Sequence, residues 1–190
     1  MDMASIITLV IAAFLLLYAV TIYNGLVNLK HAVAKHFANI DVLLKQRHDE
    51  LPKLVETCKQ YMQYEQQTLE NVINARSQVA RAQARRDMKA LGEAETTLRA
   101  GLGQLFALAE NYPELKADDS FQHLQQRISG LENSIADRRE SYNEAVNNNN
   151  VRIEQFPDVI IARFLNFGAF DLLEFQEEEL KDVNIKSLFT

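Results

Sequence analysis

The sequence predicts an all-α protein in which an N-terminal transmembrane helix is continuous with a long antiparallel four-helix bundle. Three observations favour this fold class. The first is an apolar run without charged residues from Met3 to about Ile22. The second is the small number of helix-interrupting residues, 6 Gly and 3 Pro in 190 residues. The third is a series of apolar stripes with helical spacing through the rest of the chain.

The N-terminal apolar run has the length and composition of a membrane anchor. About twenty residues at ~1.5 Å rise cover the roughly 30 Å hydrocarbon core of a bilayer. A cleaved signal peptide is the main alternative, but no basic residue precedes the run, and Ala19-Val20-Thr21 is a poor cleavage site. We therefore expect residues 1–22 to form a retained anchor.

Basic residues follow the anchor and none precedes it, as Lys30, Lys35 and Lys45 illustrate. The positive-inside rule then predicts a single-pass protein with its N-terminus outside and its bundle in the cytoplasm. Lys30 and Lys35 are also candidates for contact with anionic lipid headgroups. A solvated helix face explains these two lysines equally well.

Four apolar stripes predict the helices of the bundle, residues 23–155. The first helix continues to about Glu50, and Pro52 is placed in the first turn of the second, which ends around Arg85-Arg86. Asp87 is the expected N-cap of the third helix, which stops at Asn111-Tyr112-Pro113.

After Pro113, residues 114–120 are predicted to be a loop, with Asp118, Asp119 or Ser120 capping the fourth helix. The fourth stripe runs from Phe121 to Ile153 and stays in phase across four consecutive Asn, residues 147–150. Short connections make the helices antiparallel neighbours. The fourth helix is therefore expected to end close to the anchor.

The C-terminal segment, residues 156–190, is first aromatic and then acidic. Its apolar part is too short to span a bilayer. Phe164, Phe167 and Phe170 are candidates for contact with lipid, as part of an interfacial helix, or with protein, by packing on the bundle or on a neighbouring subunit. The acidic end, predicted to be solvated, contains Glu177, Glu178, Glu179 and Asp182.

Five polar residues fall on or beside the apolar stripes: Arg47, Glu65, Arg76, Arg138 and Asn149. They could form a buried interhelical polar layer that fixes the register of the helices. They could equally lie at helix ends or stripe edges, in water. The single cysteine, Cys58, has apolar neighbours, so we interpret it as a small buried residue and not as a reactive thiol.

Motifs that would indicate catalysis are not found in the sequence. It has no Glu-x-x-His pair for a di-iron site, no Cys-x-x-Cys, and no glycine-rich phosphate loop. We therefore predict no enzyme, no catalytic or metal-binding residues, no cofactor and no small-molecule substrate. The net charge of −6 argues against a nucleic-acid partner.

The chain resembles the LemA family through several motifs taken together. These are Tyr23-Asn24-Gly25-Leu26-Val27, residues 40–47, residues 51–56, Tyr61, Glu65, Ala75-Arg76, residues 110–116, Glu132-Asn133, Ile135-Ala136, Arg138-Arg139, Tyr142-Asn143 and Phe156-Pro157. One departure is Leu51-Pro52-Lys53, where the family more often has Ile-Pro-Asn. The resemblance implies a bacterial inner-membrane protein with one N-terminal anchor and a helical bundle. It supplies no catalytic residues.

Two functions remain open from the sequence. The first is a membrane-anchored helical scaffold or protein-interaction module that forms homo-oligomers through coiled-coil-like contacts, with another membrane protein as a further candidate partner. The alternative is a protein that shapes membranes or binds a lipid surface through its aromatic C-terminal segment.

Overall fold

The computed structural model describes residues 2–175, and all regular structure in this range is α-helical. The helices are α1 (Met3–Tyr61), α2 (Gln66–Arg85), α3 (Met88–Ala109), α4 (Pro113–Lys116), α5 (Asp119–Glu154) and α6 (Asp158–Phe164). The long helix α1 packs against α2, α3 and α5 in a bundle. The predicted all-α fold is confirmed. The acidic residues 177–182 lie outside the described residues.

The chain divides into two compact units. Among the described residues, the first unit contains residues 2–39 and Glu140–Asp171, and the second contains Ile40–Arg139 and residues 172–175. The core of the second unit is built from the apolar stripes, with Leu44, Leu54 and Leu91 fully buried. The long helices α1 and α5 each contribute to both units.

The N-terminal part of α1 is apolar and unburied. The most apolar stretch of α1 has a mean hydropathy of 2.6, and only 6% of it is buried within the chain. A core helix of a soluble protein would cover such a surface with other side chains. Among residues 2–175 this is the one helix long and apolar enough to cross a membrane, which suggests a single-pass anchor.

The prediction that a new helix starts at Pro52 was wrong. Helix α1 continues through Pro52 to Tyr61, and the break is the four residues from Met62 to Glu65. A proline inside a helix has no N–H to donate to the carbonyl four residues earlier. Here that carbonyl, of His48, accepts a hydrogen bond of 2.9 Å from Arg76 Nε on α2. The side chain of Arg76 thus replaces the missing backbone donor.

The other helix boundaries lie close to their predicted positions. Asp87 caps α3 by accepting a hydrogen bond from the Ala90 N–H, and Asp118 caps α5 by accepting one from the Phe121 N–H. The four asparagines are helical, as expected. The loop predicted after Pro113 is in part the one-turn helix α4, which begins at that proline.

Candidate functional site

A cluster of charged side chains is buried in the second unit. Arg47 on α1 is 1% exposed and forms an ion pair with Glu95 on α3, which is equally buried. Arg47 Nη1 also donates a 2.7 Å hydrogen bond to Glu132 Oε1 on α5, and Arg99 Nε lies 3.3 Å from the other oxygen of Glu132. One guanidinium therefore joins three helices.

Burial and ion pairing shift the pKa of Arg47, and likewise that of Glu95, in opposite directions. Burial acts to lower the pKa of the Arg47 guanidinium, but the Glu95 and Glu132 carboxylates outweigh it and raise this pKa, so Arg47 stays charged. Burial raises the pKa of the Glu95 carboxyl, against the opposite effect of Arg47. Arg47 Nε and Glu95 Oε2 are buried without a hydrogen-bond partner among the described residues. Such a cluster orients helices at a cost in stability, and it offers no accessible reactive group.

The other polar residues of the predicted layer lie in differing surroundings. Arg76 is partly buried and donates to the His48 carbonyl. Glu65 directly precedes α2, and desolvation together with its carboxylate raises the pKa of the Tyr112 hydroxyl. Arg138 is exposed. The carboxylates that complete the Arg47 cluster were not singled out from the sequence, because glutamates are frequent on exposed helix faces.

In the first unit, asparagine side chains on α5 bind the backbone of the C-terminal segment. The amide of Asn150 donates to the Phe170 carbonyl at 2.9 Å and accepts from the Phe170 N–H at 3.0 Å. Asn149 is 1% exposed, and its Nδ2 donates to the Gly168 carbonyl at 3.3 Å. Asn150 was not predicted as a site residue, although four asparagines within a helical stripe were a signal for it.

In the second unit, the last described residues of the C-terminal segment lie against α3 at Gly92. A Cβ atom at this position would lie 1.9 Å from the Glu174 carbonyl oxygen, so only glycine allows the approach. The ring of Phe175 then lies 3.9 Å from the Arg139 guanidinium and 5.8 Å from that of Arg99. These distances are typical of cation–π contacts.

The predicted contact residues Phe164, Phe167 and Phe170 differ in exposure. Phe167 is partly buried, and its ring lies edge-on to Tyr23 at 6.0 Å between centroids. Phe170 is partly buried and has its backbone bound by Asn150. Phe164 is exposed.

A small apolar cluster lies where α6 meets the end of the apolar run of α1. Ile22, Leu26 and Ala162 form its buried centre, with Ile153 and Ile161 packed around them. The end of α5 therefore lies beside the end of the anchor, as expected from an antiparallel bundle. The two candidate lysines, Lys30 and Lys35, are exposed.

The sole cysteine, Cys58, is fully buried, and burial raises the pKa of its thiol to about 12. This environment is that of a small core residue, as interpreted from the sequence, because the thiolate is the reactive form. Within residues 2–175 no three His, Cys, Asp or Glu side chains come together in a group able to hold a metal ion.

Comparison with known proteins finds a matching protein family and several similar proteins. The LemA family pattern matches residues 36–186 of the chain. The magnetosome proteins MamQ 2 and MamQ 1 of Paramagnetospirillum magneticum are each 33% identical to it over 97 residues. Magnetosome protein MamQ of Magnetospirillum gryphiswaldense is 30% identical over 97 residues. The match covers 51% of this chain and 35% of each relative, so the chain aligns with about a third of their length.

Proposed function

This chain belongs to the LemA family, and from that premise we propose that it is a membrane-anchored helical scaffold that forms homo-oligomers and has no catalytic activity. The continuity of α1 is the observation that carries the proposal. One helix, Met3–Tyr61, contains the apolar anchor and continues as one of the long helices of the bundle. The helix joins the anchor to the bundle without a flexible linker, as a scaffold that positions its partners near a membrane requires.

The buried polar contacts support a structural role. The Arg47 cluster joins α1, α3 and α5, and the Arg76 side chain stabilises α1 at its internal proline. The Arg47 ion pairs and the Arg76 hydrogen bond each connect α1 to other helices of the bundle. The buried thiol of Cys58 and the buried ion pair of Arg47 provide no accessible nucleophile for a substrate.

The proposed location is the bacterial inner membrane, with the N-terminus outside and the bundle in the cytoplasm. The exposed Lys30 and Lys35, which follow the anchor, support this orientation. The proposed partners are the lipid bilayer, further copies of the chain and one other membrane protein.

Mass measurement of the full chain in membranes tests the scaffold. The protein is cross-linked in native membranes at several expression levels, then extracted into nanodiscs and weighed. A fixed oligomer at every level supports the proposal. A monomer at every level, or a metal ion bound in stoichiometric amount, contradicts it.

A second candidate is a protein that shapes membranes through its aromatic segment, and the exposure of Phe164 favours it. The full chain is reconstituted into vesicles at increasing density, and the vesicles are observed by electron microscopy. Tubes or constrictions that depend on protein density, and that are lost in Phe164→Ser, support this function. Vesicles that keep their shape at all densities contradict it.

A further inference from the structure

Helix α6 and Phe156, which lies two residues before it, expose large apolar side chains that no other described residue covers. Phe156 is 82% exposed, Ile160 59% and Phe164 85%. Ile160 and Phe164 are four residues apart, so they lie on the same face of the helix. Aromatic and aliphatic residues grouped in this way mark a contact with another apolar phase.

The opposite face of α6 fixes its position along the anchor. Ala162 packs against Ile22 and Leu26, at the end of the apolar run of α1. Tyr23 and Phe167 add an aromatic contact at the same level. Because a bilayer around the apolar run would end near Ile22, α6 lies at the height of the lipid headgroups.

The charges of α6 suit this position. Its one acidic residue, Asp158, is buried in an ion pair with Arg152, so within α6 no exposed carboxylate accompanies Ile160 and Phe164. Arg163 is exposed beside Phe164. A short helix with an apolar face, an aromatic side chain and a flanking cation is typical of interfacial segments.

We propose that α6 is an interfacial helix that inserts Phe156, Ile160 and Phe164 into the bilayer around the anchor of the same chain. The inserted surface is apolar, so its insertion depends on acyl chains and not on the charge of the headgroups. Phe167 and Phe170 face the protein instead. The inference rests on the membrane anchor of the proposed scaffold and names the lipid contact that orients it.

Tryptophan fluorescence in nanodiscs tests this contact. The chain contains no tryptophan, so Phe164→Trp introduces a single reporter into the full-length protein. Tyr64→Trp is the matched control, because Tyr64 is 93% exposed and lies in the second unit. Each variant is measured in nanodiscs made with lipids brominated near the headgroup, lipids brominated deep in the acyl chain, or unbrominated lipids. Ile160→Trp provides a second reporter if position 164 tolerates indole poorly.

The expected result is a loss of most emission at position 164 with the shallow bromine, a smaller loss with the deep bromine, and no loss at position 64. The loss should be equal in neutral phosphatidylcholine and in anionic phosphatidylglycerol. Quenching at position 164 by aqueous iodide to the same extent as at position 64 would overturn the proposal. So would protection from both quenchers, which would identify a protein contact such as a second copy. The mass measurement above is independent of this result, so the scaffold and the lipid contact fail separately.

Discussion

Two polar sites, one in each unit of the molecule, are built in different ways. In the second unit, Arg47 is charged and pairs with the carboxylates of Glu95 and Glu132. In the first unit, Asn149 and Asn150 are neutral and bind backbone groups of the C-terminal segment. A buried charge requires an opposite charge, whereas an amide finds complementary partners in any peptide bond. The charged cluster therefore fixes helices against one another, and the amides fix an irregular segment against a helix.

The largest expected effect follows from removing the buried cation. Arg47→Met leaves Glu95 without its counter-ion, so the free energy of unfolding should fall by about 3–5 kcal/mol. Urea denaturation of the full chain in detergent, followed by circular dichroism, measures this change. Arg138→Met is the control, because Arg138 is exposed.

The same denaturation experiment separates the loss of the ion pair from the effect of leaving the Glu95 carboxylate unpaired. Adding Glu95→Gln to Arg47→Met removes the unpaired carboxylate and should restore a large part of the lost stability. If Arg47→Met is no more harmful than Arg138→Met, the charged cluster does not hold the bundle, and the contrast between the two units is lost.

A smaller loss is expected from the neutral site. Asn150→Leu removes both hydrogen bonds to the Phe170 backbone and should cost roughly 1–3 kcal/mol. Hydrogen exchange at the Phe170 amide should become faster. Asn148→Leu is the matched control on an exposed face of the same helix and should leave this exchange rate unchanged. Equal rates in the two variants would argue against a role for Asn150 in binding the segment.

Two glycines of α3 test the binding of the segment to the second unit. Gly92→Ala places a methyl group against the Glu174 carbonyl and should displace residues 172–175. Gly103→Ala meets no atom within 4 Å, so it should stabilise α3 by up to ~1 kcal/mol. We expect the two variants to differ by roughly 1–2 kcal/mol in unfolding free energy. Faster chymotrypsin cleavage after Phe175 should accompany Gly92→Ala alone, and similar cleavage of both variants would contradict the close contact.

The smallest effect concerns the internal proline of α1. Arg76→Met removes the donor to the His48 carbonyl and should cost about 1 kcal/mol. In a Pro52→Ala background the restored N–H can donate to the same carbonyl, so the cost of Arg76→Met should shrink. A double-mutant cycle measures this coupling, with Arg81→Met as a control for a bond within α2. Equal costs in both backgrounds would show that Arg76 does not substitute for the missing donor.

The sequence predicted the helices well because apolar spacing and caps are local signals. Asp87 caps α3 as predicted, Asp118 is the one of three predicted candidates that caps α5, and the apolar stripe predicted helix through the four asparagines. Pro52 misled because its tolerance inside α1 depends on Arg76, which is distant in sequence. A local sequence pattern cannot show that a side chain distant in sequence will donate a hydrogen bond to the carbonyl that the proline leaves without its backbone donor.

The candidate sites were less predictable than the fold. Arg47 and Asn149 stood out as polar residues in core phase, and both are buried. Their partners did not stand out, since Glu95, Glu132 and the backbone of residues 168–170 have no distinguishing sequence pattern. Phe164 and Phe167 looked alike in sequence, but Phe167 packs against Tyr23 and the apolar cluster around Ile22, whereas Phe164 is exposed.

The contact between α1 and α6 also limits where the sequence of α1 can change in length. Ile22 and Leu26 both face Ala162 of α6, within the first unit. One residue inserted between them would turn Ile22 by about 100° about the helix axis relative to Leu26, so the two side chains could no longer share one face. An insertion or deletion before Ile22 leaves this pair unchanged. The unburied apolar run is therefore the part of α1 whose length can vary to match the thickness of a bilayer.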